Sequence, residues 1–320
     1  MHRGYGYHDI GGHAAGPVEP VQHQMSFWER QVEAMRDLLA KRSEPLVRTD
    51  ELRRAMETMG EESYNEITFY ERKAWALREI LLEKEIIDAD ELINQIDIVK
   101  HRREAALQEL PASYDHRHDH SNIRDDDPNP SEFDVLAEAI KDLLVQKELL
   151  SASKVTFMIE RMENAGPAHG ARIVARAWFD HAFKERLLID GKKAMLELDI
   201  DALETQIIVT ENTPTVHNVI VCTLCSCYPR SVLGSPPAWY VSKPYRSRVV
   251  REPRLVLAEF GTKIPEKAEV RVHDSTADMR YMVLPMQPEG TGHLDEQMLA
   301  QLVTRDSLIG VTQVQSPERT

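Results

Sequence analysis

The chain has 320 residues, enough for one large or two modest domains with cores of their own. Its 42% hydrophobic and 29% charged residues are those of a globular protein, and a net charge of −14 repels phosphate backbones, which sets nucleic acid aside as a partner. No apolar run approaches the roughly 18 residues needed to span a bilayer, and Met1-His2-Arg3-Gly4-Tyr5 opens no apolar stretch of signal-peptide type, so the expected location is the cytoplasm, away from membranes.

Residues 1–25 are rich in Gly, His and Pro without periodicity and predict an extended arm. From Phe27 the spacing of Trp28, Val32, Met35 and Leu39 puts them on one helix face. Thr49-Asp50 ahead of Glu51-Leu52 marks a helix start, and Met56, Met59, Trp75, Leu77, Ile80 and Leu81 extend a mostly helical region to about Arg103. A polar linker follows over 111–130, with Pro111, the alternating His116, His118 and His120, three aspartates from Asp125, then Pro128 and Pro130. Alternating histidines can bind a metal, but a stretch without a rigid scaffold reads as a solvated hinge.

Helical spacing resumes at Phe133 and runs to about Leu198, with a break at Asn164-Ala165-Gly166-Pro167. Here the chain echoes itself: Ala76-Leu77-Arg78-Glu79-Ile80-Leu81-Leu82-Glu83-Lys84-Glu85 aligns with Ala139-Ile140-Lys141-Asp142-Leu143-Leu144-Val145-Gln146-Lys147-Glu148. Two copies are too few for a solenoid and predict one helix-turn-helix element on each side of the linker. After Thr205 the character changes. Ile207-Ile208-Val209, Val219-Ile220-Val221, Val270-Arg271-Val272-His273 and Tyr281-Met282-Val283-Leu284 read as strands.

All three cysteines fall in the run Cys222-Thr223-Leu224-Cys225-Ser226-Cys227, at the end of the second of these strands. An odd, clustered set is not a disulfide framework; it points to metal or redox chemistry. Thiolates at i, i+3 and i+5 converge on one metal only if the backbone wraps around it, which brings the peptide nitrogens between the second and third cysteines close to the ion. A zinc site would instead take a fourth side chain, and His217, five residues upstream, is the nearest. Spacing alone leaves both readings open.

The flanks of the run resemble the α subunit of nitrile hydratases. Glu211-Asn212-Thr213-Pro214, Val216-His217-Asn218, Cys222 through Pro229, Val232-Leu233-Gly234, Pro236-Pro237-Ala238-Trp239-Tyr240, Pro253 through Gly261, Val272-His273-Asp274-Ser275 and Leu302 through Val311 carry the resemblance, with Gly170 through Trp178 upstream. His8-Asp9-Ile10-Gly11-Gly12, Asp50-Glu51-Leu52-Arg53 and Tyr70-Glu71-Arg72 resemble the N-terminal half of the β subunit. The resemblance implies an α+β fold: a helical β-subunit-like region over 1–110, the linker over 111–130, an α-subunit-like domain over 131–312 with a helical arm and a layered α/β metal-binding part, and a tail over 313–320.

What the family would place here follows residue by residue. The sulfurs of Cys222, Cys225 and Cys227 and the amides of Ser226 and Cys227 would hold non-corrin cobalt(III), because Thr223 stands where iron(III) members usually have Ser. Cys225 would be a sulfinate and Cys227 a sulfenate, both catalytic, with the Arg53 guanidinium hydrogen-bonded to their oxygens. Arg230, Trp239, Phe69 and Tyr70 would line the substrate pocket, although core packing is the plainer reading of Trp239. Phe69 departs from the family's usual Tyr, and Arg230 stands where nitrile hydratases carry Trp; Tyr228-Pro229-Arg230 resembles the γ subunit of thiocyanate hydrolase instead. The implied activity is hydration of a nitrile to an amide, with thiocyanate conversion to carbonyl sulfide and ammonia as the alternative and a zinc or redox-sensing scaffold as the non-catalytic one. The implied partners are a small nitrile or thiocyanate, a separate SH3-like polypeptide of the β C-terminal type in a hetero-oligomer, and a metallochaperone for cobalt loading.

Overall fold

A computed structural model describes residues 7–20, 25–108, 131–164, 166–202, 204–224, 227–276 and 278–316. The chain forms two compact units, Gln24–Glu160 and Met1–His23 with Arg161–Thr320. The histidines of the expected linker, His116, His118 and His120, lie outside the described residues.

The first unit is helical: α1 (Phe27–Ala40), α2 (Thr49–Thr58), α3 (Glu61–Glu66), α4 (Phe69–Glu83), α5 (Ala89–Gln108), α6 (Glu132–Gln146) and the larger part of α7 (Ala152–Asn164). Starts are capped as the side chains dictate. Glu29 accepts the Ser26 N–H at 2.7 Å, Glu51 that of Arg48 at 2.8 Å and Glu71 that of Thr68 at 2.7 Å. Val32, Met35 and Leu39 of α1 are buried, as their spacing predicts.

The sequence echo is a structural one. α4 and α6 end on the same motif: Lys84 donates its N–H to Ile80 and Lys147 to Leu143, Ile86 to Leu81 and Leu149 to Leu144, while Glu85 (φ 54°) and Glu148 (φ 57°) take the left-handed conformation that turns the chain. Each copy then continues into a second helix, α5 or α7. The two copies meet along α5 and α6, where Arg103 donates to Asp134 at 2.9 and 3.0 Å and to Glu138 at 2.8 Å, and Arg102 to Asp142 at 2.8 Å. Asp134, Glu138 and Asp142 recur every four residues and so form one acidic stripe on α6.

The second unit holds α8 (Pro167–Phe179), α9 (His181–Ile189), α10 (Gly191–Leu196), β1 (Gln206–Glu211), β2 (Val216–Val221), α11 (Arg230–Leu233), α12 (Ala238–Val241), α13 (Lys243–Arg248), α14 (Pro253–Glu259), β3 (Glu269–Asp274), β4 (Met279–Leu284), α15 (Glu296–Leu302) and α16 (Arg305–Ile309). Gly166 caps α8 and Pro167 opens it, at the break the sequence predicts. The strands form two parallel pairs, β1 with β4 and β2 with β3, with Val221 opposite Asp274. Parallel pairing demands a long crossover, and the crossover from β2 to β3 is where α11 to α14 are inserted. The core gathers Val219, Ile220 and Val221 of β2, Met282 and Val283 of β4, Leu257 of α14 and Leu308 of α16. At the end of α16, Gly310 (φ +90°) brings its backbone against β2 so closely that an added Cβ would lie 2.1 Å from the Asn218 carbonyl.

Candidate metal centre

The cysteine run begins where β2 ends, at the carboxyl end of a parallel pair, a common place for a site. Cys222 is fully buried and Cys227 nearly so. The first bend is fixed from β3: Asp274 accepts the Thr223 N–H at 3.0 Å and the Thr223 hydroxyl at 2.6 Å. Burial pushes the Asp274 carboxyl above its ordinary range; the two Thr223 hydrogen bonds oppose that shift, and the charges of Cys222 and Asp9 add to it.

Four of the run's carbonyls, those of Cys222, Thr223, Leu224 and Cys227, are gripped by side chains. Arg246 on α13 donates through Nε to the Cys222 carbonyl at 3.1 Å and through Nη2 to those of Thr223 at 2.8 Å and Leu224 at 2.7 Å. The Tyr240 hydroxyl donates to the Cys227 carbonyl at 2.9 Å, and the Tyr245 hydroxyl to that of Ile220 at 2.6 Å. Burial raises the Tyr240 phenol well above its ordinary value, and the charges of Cys222, Tyr245, Tyr228 and Cys227 push the same way, so it remains a donor. Cys225 and Ser226 lie outside the described residues.

These contacts test the donor set. With the carbonyls of Cys222, Thr223, Leu224 and Cys227 held by side chains, sulfur is what the described part of the run offers to a metal, together with the Cys227 amide. That fits a thiolate and amide-nitrogen set. The zinc alternative loses its histidine: His217 Nε2 donates to the Gly310 carbonyl at 2.7 Å, and Nδ1 lies 3.3 Å from the Asn212 amide.

The N-terminal arm packs on this unit. Gly12 donates its N–H to the Ser247 carbonyl at 2.7 Å, and a Cβ on Gly11 would stand 3.1 Å from the Thr223 methyl, so the arm crosses the cysteine loop at a residue without a side chain. Arg248 donates to the Gly16 carbonyl at 3.0 Å, and Glu259 accepts the Val18 N–H at 2.8 Å and Arg248 at 2.8 and 3.1 Å. α13 thus faces the loop with Arg246 and the arm with Ser247 and Arg248.

Of the other residues expected at the site, Arg230 is half-buried in the first turn of α11, three residues after Cys227. Trp239 is in the core, with its ring edge-to-face with Phe260 at 4.7 Å and Tyr245 at 5.0 Å. Arg53, Phe69 and Tyr70 belong to the helical unit. There Arg53 lies 3.9 Å from Asp50 one turn back on α2, and Phe69 and Tyr70 are buried edge-to-face at 5.0 Å with the Lys73 ammonium 4.5 Å from the Phe69 ring. Sequence reading assigned no role to Arg246, Tyr240 or Asp274. Arg246 sits among Lys243, Ser247 and Arg248, and nothing in that stretch sets it apart.

Comparison with known proteins agrees with this geometry. The family described as nitrile hydratase, alpha chain, matches residues 131–312, and nitrile hydratase beta subunit, N-terminal, matches 5–120. The chain is similar to the low-molecular weight cobalt-containing nitrile hydratase subunit alpha of Rhodococcus rhodochrous, 50% identical over 57% of this chain and 89% of that one. It is also similar to the thiocyanate hydrolase subunit gamma of Thiobacillus thioparus, 41% identical over 57% and 79% respectively. Among solved structures, a double mutant of Fe-type nitrile hydratase from Comamonas testosteroni Ni1 superposes with a TM-score of 0.54 at 41% identity, over 56% of this chain and 89% of that one. The buried Cys222 and Cys227 and these matches together place the chain in the nitrile hydratase α-chain family, with a β-subunit N-terminal segment joined ahead of it.

Proposed function

We propose that this chain is the metal-bearing subunit of an enzyme that adds water across a C≡N bond, converting a nitrile to its amide. The observation that carries the reading is the pair of buried cysteines, Cys222 and Cys227, at the end of β2, with the carbonyls of Cys222, Thr223 and Leu224 accepting from Arg246 and that of Cys227 from Tyr240. Cobalt is the expected metal, since the Rhodococcus rhodochrous relative is named as cobalt-containing and Thr223 is the residue typical of cobalt members. When bound there it supplies a Lewis acid that polarises the nitrile. Cys222, Cys225 and Cys227 would hold it with the amides of Ser226 and Cys227; Cys225 would be a sulfinate and Cys227 a sulfenate, whose oxygen would either attack the nitrile carbon as nucleophile or take a proton from the attacking water as base. The family resemblance assigns Arg53 to the oxidised sulfurs. A separate polypeptide of roughly 100 residues, a small β-barrel, completes the hetero-oligomer, and a metallochaperone loads the cobalt.

Arg230 favours a second reading, thiocyanate as substrate. A half-buried guanidinium three residues from Cys227 suits an anion better than a neutral nitrile, and the Thiobacillus thioparus relative is a thiocyanate hydrolase subunit. One set of assays decides between them. Purified protein is analysed for cobalt, and for about 48 mass units of added oxygen on the peptide holding Cys225 and Cys227; amide from nitriles and ammonia from thiocyanate are then measured for the wild type and Arg230→Trp. A nitrile enzyme makes amide faster than it consumes thiocyanate in the wild type. A thiocyanate enzyme loses thiocyanate turnover roughly 30-fold or more in the variant and keeps or gains nitrile activity. Cobalt-free protein with unmodified thiols and full activity on either substrate refutes the cobalt and oxidised-cysteine mechanism, and no turnover of either substrate by the cobalt-loaded complex refutes both readings.

A further inference from the structure

Two arginines two residues apart on α13 are buried in opposite electrostatic company. Arg248, 9% exposed, is neutralised by carboxylates on both sides, Glu259 at 2.8 Å and Glu252 one turn on. Arg246, 2% exposed, has no carboxylate partner among the described residues; its hydrogen bonds go to the carbonyls of Cys222, Thr223 and Leu224. Carbonyl dipoles satisfy the N–H groups, but they do not cancel a unit charge, and a buried cation without a counter-charge is costly. The fold keeps such a cation against the backbone of the cysteine run and nowhere else on this helix.

We propose that Arg246 is the positioning residue of the metal loop and that the loaded loop is its counter-ion. The inference rests on reading the run as a metal site. Three ionised sulfur groups, whether thiolate, sulfinate or sulfenate, balance a trivalent ion, and each deprotonated amide then adds one negative charge, so the loaded loop is an anion where the empty one, with its thiols protonated, is not. The guanidinium fork also spans three successive carbonyls, which a point-charge ammonium does not. Arg246 therefore favours the loaded state over the empty one, whereas Arg248, with glutamates for partners, is indifferent to loading.

The test compares Arg246→Gln, Arg246→Lys and Arg248→Gln in the full chain with whatever partner co-purifies, each cobalt-loaded and metal-free. Urea unfolding, transfer of cobalt to a chelator and the sulfur-to-cobalt absorption band are the readouts. Expected is a 10- to 100-fold faster loss of cobalt from Arg246→Gln with a shifted band, in line with the roughly 10–100-fold effect of outer-shell partners on metal affinity. Arg246→Lys should recover only part of it, because the charge is kept but the three-carbonyl fork is not, and the stability lost by Arg246→Gln should be larger in the loaded than in the metal-free protein. Arg248→Gln should lose the same stability in both forms and release cobalt at the wild-type rate. Equal losses for Arg246→Gln in the two forms, with an unshifted band, overturn the proposal. Should the wild type take up no cobalt, the functional reading fails, and the metal-free comparison still decides. Arg246→Gln losing as much as Arg248→Gln then marks an ordinary structural arginine and overturns the proposal; a clearly smaller loss supports a cation waiting for its anion.

Discussion

Burial lowers the pKa of His217, and the charge of Arg254 adds to this, while the hydrogen bond to the Gly310 carbonyl works the other way. The folded protein thus holds a neutral imidazole where the unfolded chain takes up a proton below its ordinary value of 6.5. Because the unfolded state binds the extra proton, the stability present above 6.5 is lost as the pH falls from there toward the depressed folded value. Urea midpoints taken between about pH 7.5 and about pH 5.5 should therefore fall for the wild type and fall less for His217→Gln; identical slopes would show that His217 does not titrate between the two states. At this scale the sequence conveys ligand chemistry well and support poorly. Clustered thiols announce a metal by their number and spacing. Arg246, Tyr240 and Asp274 carry no such mark, because each reaches the loop from another element and becomes part of the site only once the β2-to-β3 crossover has folded.

The helical hairpins α4–α5 and α6–α7 place a glutamate, Glu85 and Glu148, at the left-handed position where glycine is usual. Each pays the steric cost of a Cβ there. Replacing either by Gly should raise unfolding stability by about 0.5–1 kcal/mol, and the double replacement should add the two gains, since the sites lie in different hairpins. Denaturant midpoints with unchanged slopes would report this; a loss at either site would mean that its side chain makes a contact worth more than the strain. The hairpins were legible because helical spacing and the repeated Lys-Glu ending are local. Likewise Ile207-Ile208-Val209 and Val219-Ile220-Val221 give away β1 and β2 by their β-branching. The pairing of β1 with β4 and β2 with β3 was not legible, since parallel partners are joined through long crossovers and leave no short-range pattern.

In the helical unit, α5 and α6 are held together across the segment 109–130 by Arg102 and Arg103 against the stripe Asp134, Glu138 and Asp142. Burial of side chains such as Val99 and Ile140 accompanies these pairs. A protease site engineered into 111–130 and cut should therefore leave two fragments that co-elute at low ionic strength and separate more readily as salt screens the partly exposed pairs. Fragments that part at once in low salt would show that the covalent link, not the seam, holds the halves. The arm extends the same question to the longest distances in the chain. Val18 meets Glu259 across 241 positions and Gly16 meets Arg248 across 232. Closing so long a segment costs chain entropy that is recovered only after both ends are in place, and contacts of such separation slow folding. During synthesis the arm is made well before its anchors on α13 and α14, with the whole helical unit made in between. The arm therefore has nothing to dock on until α13, the helix that ties it down beside the cysteine run, has been made and folded.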